Sequence, residues 1–97
     1  MPITRGRANV FEDLGFTAIE AEHLRVRADL MIAIRQLITD RKLTQVRAAK
    51  LLGVTQPRVS DLVRGKLSLF SIDALVEMLG HAGLHVRMQV ASRPQVA

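Results

Sequence analysis

The side chains able to do chemistry in this chain are mostly cations, and they are unevenly placed. Between residues 41 and 66, Arg41, Lys42, Arg47, Lys50, Arg58, Arg64 and Lys66 stand against a single acid, Asp61. Residues 1–40 carry five arginines against six acids and residues 67–97 balance, so the whole net charge of +5 belongs to that central stretch. Lysine and arginine gathered in this way complement a phosphate backbone; the blander account is a solvated basic face that aids solubility. Other chemistry is thinly supplied. There are no cysteines, which excludes disulfides and a thiolate-ligated metal. His23, His81 and His85 are scattered, with no pair at ligand spacing on one helix. No glycine loop for phosphate and no nucleophile–base pair is visible, so neither an enzyme nor a cofactor is expected.

The elements that must position these cations are legible around residues 44–64, TQVRAAKLLGVTQPRVSDLVR. Thr44 is placed to cap a first short helix, its hydroxyl taking a free backbone N–H. Ala48, Ala49 and Leu52 give that helix a small apolar face. Gly53 then ends it, because glycine enters a left-handed conformation without a Cβ penalty. Val54 plugs the turn and Thr55 caps a second helix, its hydroxyl directed to the N–H of Arg58. Pro57 sits in the first turn, where a missing N–H is tolerated. Val59, Leu62 and Val63 are expected to face inward, leaving Gln56, Arg58, Ser60, Asp61 and Arg64 facing out.

This pattern resembles the Xre/Cro-type helix-turn-helix domains of phage repressors and bacterial antitoxins. The resemblance rests on Gln45 at the start of the first helix, Ala49 where the helices touch, Gly53 in the turn, and Val59 and Leu62 inside. It implies an all-α, lambda-repressor-like bundle of four to five helices whose second motif helix enters the DNA major groove. Carried over position by position, Gln56 is the first base reader, able to bond adenine through N6 and N7. Arg58 would pair with guanine, Asp61 would accept from cytosine N4, and Pro57 would offer van der Waals contact. Pro57 departs from the polar residue that many relatives carry there. Gln45 and Thr55 would meet phosphate at the two helix N-termini. Ser60, Arg64 and Lys66 are further phosphate candidates, flanked by Arg41, Lys42 and Arg47, while Lys50 has the weakest claim.

The flanks look like support. Residues 1–9 are polar and without periodicity, an expected disordered arm; Arg5 and Arg7 are candidates for a groove or phosphate contact, and the favoured alternative is an uninvolved tail. Residues 9–16, NVFEDLGF, hold two of the three aromatics; Phe11, Leu14 and Phe16 bracket Glu12 and Asp13. They pack inward on the first helix or, with Phe11, Glu12, Asp13 and Phe16 as contacts, anchor a partner protein. Thr17 and Glu20 form a capping-box pattern opening a helix to Asp40, in which a break or kink near His23 is possible. Leu30, Met31, Ile34, Leu37 and Ile38 mark its buried stripe. Leu67, Leu69 and Phe70 should fold back on the core. Ser71 caps a last helix in which Ile72, Leu75, Val76 and Leu79 face inward, ended by Gly80 and Gly83. In residues 84–91, LHVRMQVA, the period changes to two, a strand signature. One strand cannot satisfy its own backbone, so Val86, Met88 and Val90 are expected to pair with a second copy in a dimer. A helical domain over 10–83, this strand and a tail over 92–97 complete the plan.

The whole-chain order also resembles the short HigA-like antitoxins. That resemblance implies an autorepressor that neutralises a RelE- or HigB-like toxin while binding a palindromic double-stranded DNA operator as a homodimer. The alternatives are a stand-alone phage-type repressor, and a protein inhibitor of a RelE-like toxin that does not bind DNA. No apolar run approaches the roughly eighteen residues of a membrane span, and the first residues lack a secretory h-region. A cytoplasmic protein is the expectation.

Overall fold

The computed structural model describes Phe11 and residues 13–92; among these, four α-helices and one short 3-10 turn can be traced in full, and Phe11 and Asp13 are helical as well. The expected arm over 1–9, Glu12 and residues 93–97 of the tail lie outside the described residues. Helix α1 spans Ala18–Asp40, α2 Gln45–Leu52, α3 Gln56–Val63 and α4 Ile72–His81, with the 3-10 turn at Leu67–Leu69.

Helix α1 opens with the capping box that the Thr17/Glu20 spacing predicts. The Thr17 hydroxyl accepts from the Glu20 N–H at 3.1 Å, and the Glu20 carboxylate accepts from the Thr17 N–H at 3.1 Å. These bonds hold the Glu20 carboxyl below its usual range. The helix runs unbroken through His23, so the break or kink possible there does not form. No proline or glycine interrupts it, and Arg25 bonds both Glu22 and Asp29 along its outer side. Ala21, Ala28, Leu30, Met31 and Ile34 are its buried residues. Leu37 and Ile38 pack at the edge of the same core.

Helices α2 and α3 are short and stand mainly on their burial. Ala48, Leu52, Val59 and Leu62 have no solvent contact, joined by Ile34, Leu75 and, at 1 % exposure, Phe70. Each large side chain so buried stabilises the fold by roughly 1.5–3 kcal/mol. Val63 and Val76, expected inward, lie partly in solvent, while Met78 and Ala82 complete the core instead. Helix α4 passes through Gly80 to His81, so only Gly83 acts as its terminator. Ser71 caps α4 through the Ala74 N–H at 3.0 Å.

All four helices end with the same i to i−5 backbone bond: Leu43 to Ile38, Val54 to Ala49, Lys66 to Asp61 and Leu84 to Leu79, each at 3.0–3.1 Å. That closure needs a left-handed residue just before the donor. Gly53 and Gly65 supply it with φ of 69° and 75°, but after α1 the position is Lys42 at φ 51°.

The expected C-terminal strand is not formed; no strand occurs among the described residues. Residues 84–92 run without regular structure, and the alternation places only Val86 against the core. Met88 and Val90 are 68 % and 90 % exposed, so the three side chains assigned to a dimer strand do not share a covered face. The physical reason is that period-two patterning marks a face but supplies no ladder, and no other described segment offers an extended edge to pair with. No helix of the described residues is long and apolar enough to cross a membrane.

Two substitutions test the helix ends. A β-carbon at Gly53 would sit 2.9 Å from Cδ2 of His81 as well as in a left-handed backbone. Gly53→Ala is therefore expected to cost about 2 kcal/mol or more, seen as a lower urea midpoint at unchanged slope. Lys42→Gly relieves the one left-handed non-glycine among the described residues and should stabilise the chain by a few tenths to about 1 kcal/mol in the same measurement.

Candidate nucleic-acid interface

The outer surface of α2 and α3 is set by what lies beneath it. Because Val59 and Leu62 are wholly buried, α3 is rotationally fixed, and Gln56 and Pro57 stand exposed at its N-terminal end. Thr44 and Gln45 are likewise exposed at the start of α2, where the Thr44 hydroxyl accepts from the Arg47 N–H at 3.2 Å. The expected cap at α3 is different. Thr55 has the extended cap backbone but its hydroxyl makes no cap bond. Pro57 removes one of the early N–H groups, and the remaining first-turn donors point outward with an exposed Thr55 beside them.

Arg58 does not face out as its position suggests. Its guanidinium carbon lies 4.0 Å from the centre of the Phe70 ring, and Nη1 donates to the Leu69 carbonyl at 2.8 Å. The side chain assigned to guanine is thus half-buried and engaged within the fold. Asp61 is half-buried too, with Oδ1 3.4 Å from Lys66 Nζ, so the acid assigned to cytosine and a cation assigned to phosphate partly neutralise each other. Ser60 is half-buried beside them. Arg41, Lys42, Arg47 and Arg64 are exposed. Lys50 is exposed in the last turn of α2, where a cation suits the helix C-terminus. That places it at the opposite end of the helix from Gln45.

One cation joins this surface unannounced. Nη1 of Arg35, on α1, lies 3.9 Å from where a Gly65 β-carbon would be. It therefore sits over the chain between Arg64 and Lys66. From sequence, Arg35 was recognisable only as lying off the buried stripe; which neighbour it meets depends on how α1 crosses the end of α3. Among the described residues no group of three or more His, Asp or Glu is gathered to hold a metal ion.

Residues 11–16 form a second feature. Phe11 and Phe16 meet edge to face, centroids 6.5 Å apart, and the Phe16 N–H donates to the Phe11 carbonyl at 3.3 Å. Phe11 is half-buried, but Leu14 and Phe16 are 69 % and 41 % exposed, and Ile19 in the first turn of α1 is 72 % exposed. Exposed Asp13, Glu20 and Glu22 border them. Of the four side chains assigned to a partner, Glu12 lies outside the described residues; Ile19 joins the other three and carries no sequence signal, since it precedes the apolar stripe of α1.

Comparison with known proteins fits this geometry. A family model described as a helix-turn-helix domain matches residues 10–91. A solved structure described as a candidate XRE family transcriptional regulator is 31 % identical, with a TM-score of 0.70 over 79 % of this chain and 86 % of that one. No curated protein matches the sequence.

Proposed function

The chain belongs to the XRE-type helix-turn-helix family, and from that premise we propose that it is a transcriptional regulator binding double-stranded DNA in a sequence-specific manner. The single observation that supports this most is the placement of exposed cations around a rotationally fixed α3, with Gln56 and Pro57 leading. In this reading the N-terminal end of α3 enters the major groove and Gln56 bonds a base edge, adenine for preference. Pro57 adds van der Waals contact. Gln45 and Thr55 meet phosphate at the helix N-termini, and Arg41, Lys42, Arg47 and Arg64 extend that contact on either side. Lys66 and Asp61 act as a pair, so Asp61 reads a base only if Lys66 releases it to a phosphate. Ser60 is a lesser phosphate candidate. One eight-residue helix reads few base pairs; two copies with recognition helices about 34 Å apart would read a palindrome on one face of the duplex.

These roles separate by salt and sequence. In a binding selection over randomised duplexes, Gln56→Ala should flatten preference at one base pair and cost roughly 1–3 kcal/mol on the best site. Arg64→Ala should weaken all sequences alike and lower the salt slope by about one, and Arg35→Gln should do the same if its place over Gly65 brings it to the backbone. Lys50→Gln should change neither. Retained preference in Gln56→Ala would remove glutamine as the reader.

A narrower reading, an autorepressing antitoxin, is favoured by the other end of α1. Leu14, Phe16 and Ile19 expose apolar surface in a stretch that also carries the exposed acid Asp13, a surface suited to a basic protein such as a RelE- or HigB-like toxin. Phe11 and Asp13 belong to the same surface. Co-expression with such a toxin should give a stable complex that Phe16→Ala together with Ile19→Ser dissociates while operator binding persists. A complex indifferent to both substitutions would move the toxin site elsewhere.

A further inference from the structure

Arg58 stands apart from the other cations of residues 41–66. It leaves the first turn of α3 and ends on a segment eleven residues further on, bonding the Leu69 carbonyl and covering the face of Phe70. Phe70 is anchored in the core, so this is a contact to a fixed point. A guanidinium uses its face on a ring and its edge on a carbonyl at once; an ammonium does one or the other. The chain bridged in this way is short. Its start is held by the α3 terminus, where Gly65 donates to Leu62 and Lys66 to Asp61. Its end is held by the burial of Phe70, by the Leu69 N–H to Lys66 and Phe70 N–H to Leu67 bonds of the 3-10 turn, and on the outer side by Arg58. Between the two lie Arg64, Lys66 and Ser68, all exposed.

We propose that Arg58 is a positioning residue of the DNA interface, clamping residues 64–69 so that Arg64 and Lys66 meet phosphate in a fixed register, and that it reads no base. This rests on the DNA-binding reading above. The clamp orders the segment before binding, so its removal costs affinity through lost preorganisation rather than through a lost contact. The loss is then indifferent to base sequence, which is what separates a clamp from a reader.

The test combines Arg58→Ala, Arg58→Lys and Phe70→Leu, with the double substitution of Ala and Leu, in binding to the randomised duplex library and in amide hydrogen exchange of the free chain. Arg58→Ala should weaken binding by about tenfold on every sequence and leave their ranking unchanged. Arg58→Lys should retain most of that loss despite keeping the charge. Adding Phe70→Leu to Arg58→Ala should cost far less than the two separate losses together, since both remove one stack. In the free chain, Leu69 and Phe70 amides should exchange faster in Arg58→Ala while those of α2 do not. A changed preference at one base pair overturns the clamp in favour of a reader. Full recovery by lysine overturns it in favour of a direct phosphate contact. Unchanged exchange overturns it outright. If the wild-type chain binds no duplex at low salt, the DNA-binding reading falls; faster exchange would then leave Arg58 as a fold contact and overturn its role in binding.

Discussion

The exposed face of α3 depends on the close approach of two short helices at Gly53. Its left-handed backbone lets the Val54 N–H reach back to the Ala49 carbonyl, and the absence of a side chain admits the His81 ring. With the turn held from both sides, Ala48 and Leu52 meet Val59 and Leu62 with no water between them. Helices of eight residues are too short to persist alone in water, so tertiary packing must fix both their existence and their rotation. A rotation of α3 by a single residue would carry Gln56 about 100° around the axis and expose Val59. The direction in which Gln56 points is therefore a property of the core.

Charge in the central stretch serves two ends that composition alone does not separate. Arg41, Lys42, Arg47, Lys50 and Arg64 are exposed and build a positive face. Arg58 is turned inward to Phe70 and Lys66 toward Asp61, so two of the seven cations also organise the chain that carries the others. The Asp61–Lys66 pair is partly in solvent and worth little to stability, roughly 0–1 kcal/mol. Its weight lies in geometry, since it tethers Lys66 to the helix that precedes it. Arg35 works in the opposite direction, bringing a cation from α1 over Gly65 and widening the positive face beyond the motif.

Much of this was legible because the signals were local. The capping box at Thr17, the caps at Thr44 and Ser71, the stop at Gly53 and the stripe from Leu30 to Ile34 each lie within one or two helical turns, and each formed as its spacing predicts. Most of what failed was relational, although the local cap bond from Thr55 did not form either. Arg58 occupies a position that a lone α3 would expose, and only the return of Phe70 beneath it changes its role. Val63 and Val76 follow the apolar period yet sit at the rim, because α3 and α4 each pack mainly on α1 and α2, which leaves the edge of the apolar stripe open to solvent. Met78 and Ala82 fall inside because α4 packs on both α1 and α2. No helical wheel contains that information.

Residues 84–92 carry the same lesson about a missing term. Their alternation is a statement about faces, and it did place Val86 on the bundle. A strand also requires a second backbone whose N–H and C=O groups it can meet, and α4 presents side chains there, its own backbone groups being spent along the helix. The segment consequently follows the bundle through one apolar contact and the single Leu84 to Leu79 bond that closes α4. At the other end of the chain, Leu14, Phe16 and Ile19 are exposed for a related reason. The buried face of α1 begins at Ala21 and faces α4, leaving the apolar side chains before it uncovered by any of the four helices traced in full. An α1 of 23 residues is about 34 Å long, so that apolar end is separated by most of the helix from Arg41 and Lys42 beyond its C-terminus. The segment that Arg58 bonds is nearer: Ser68, Leu69 and Phe70 line a cavity with His23 and Arg27, one to two turns along α1. Any coupling between a partner on the apolar end and a duplex on α3 therefore has a shorter path through that cavity than along the whole helix.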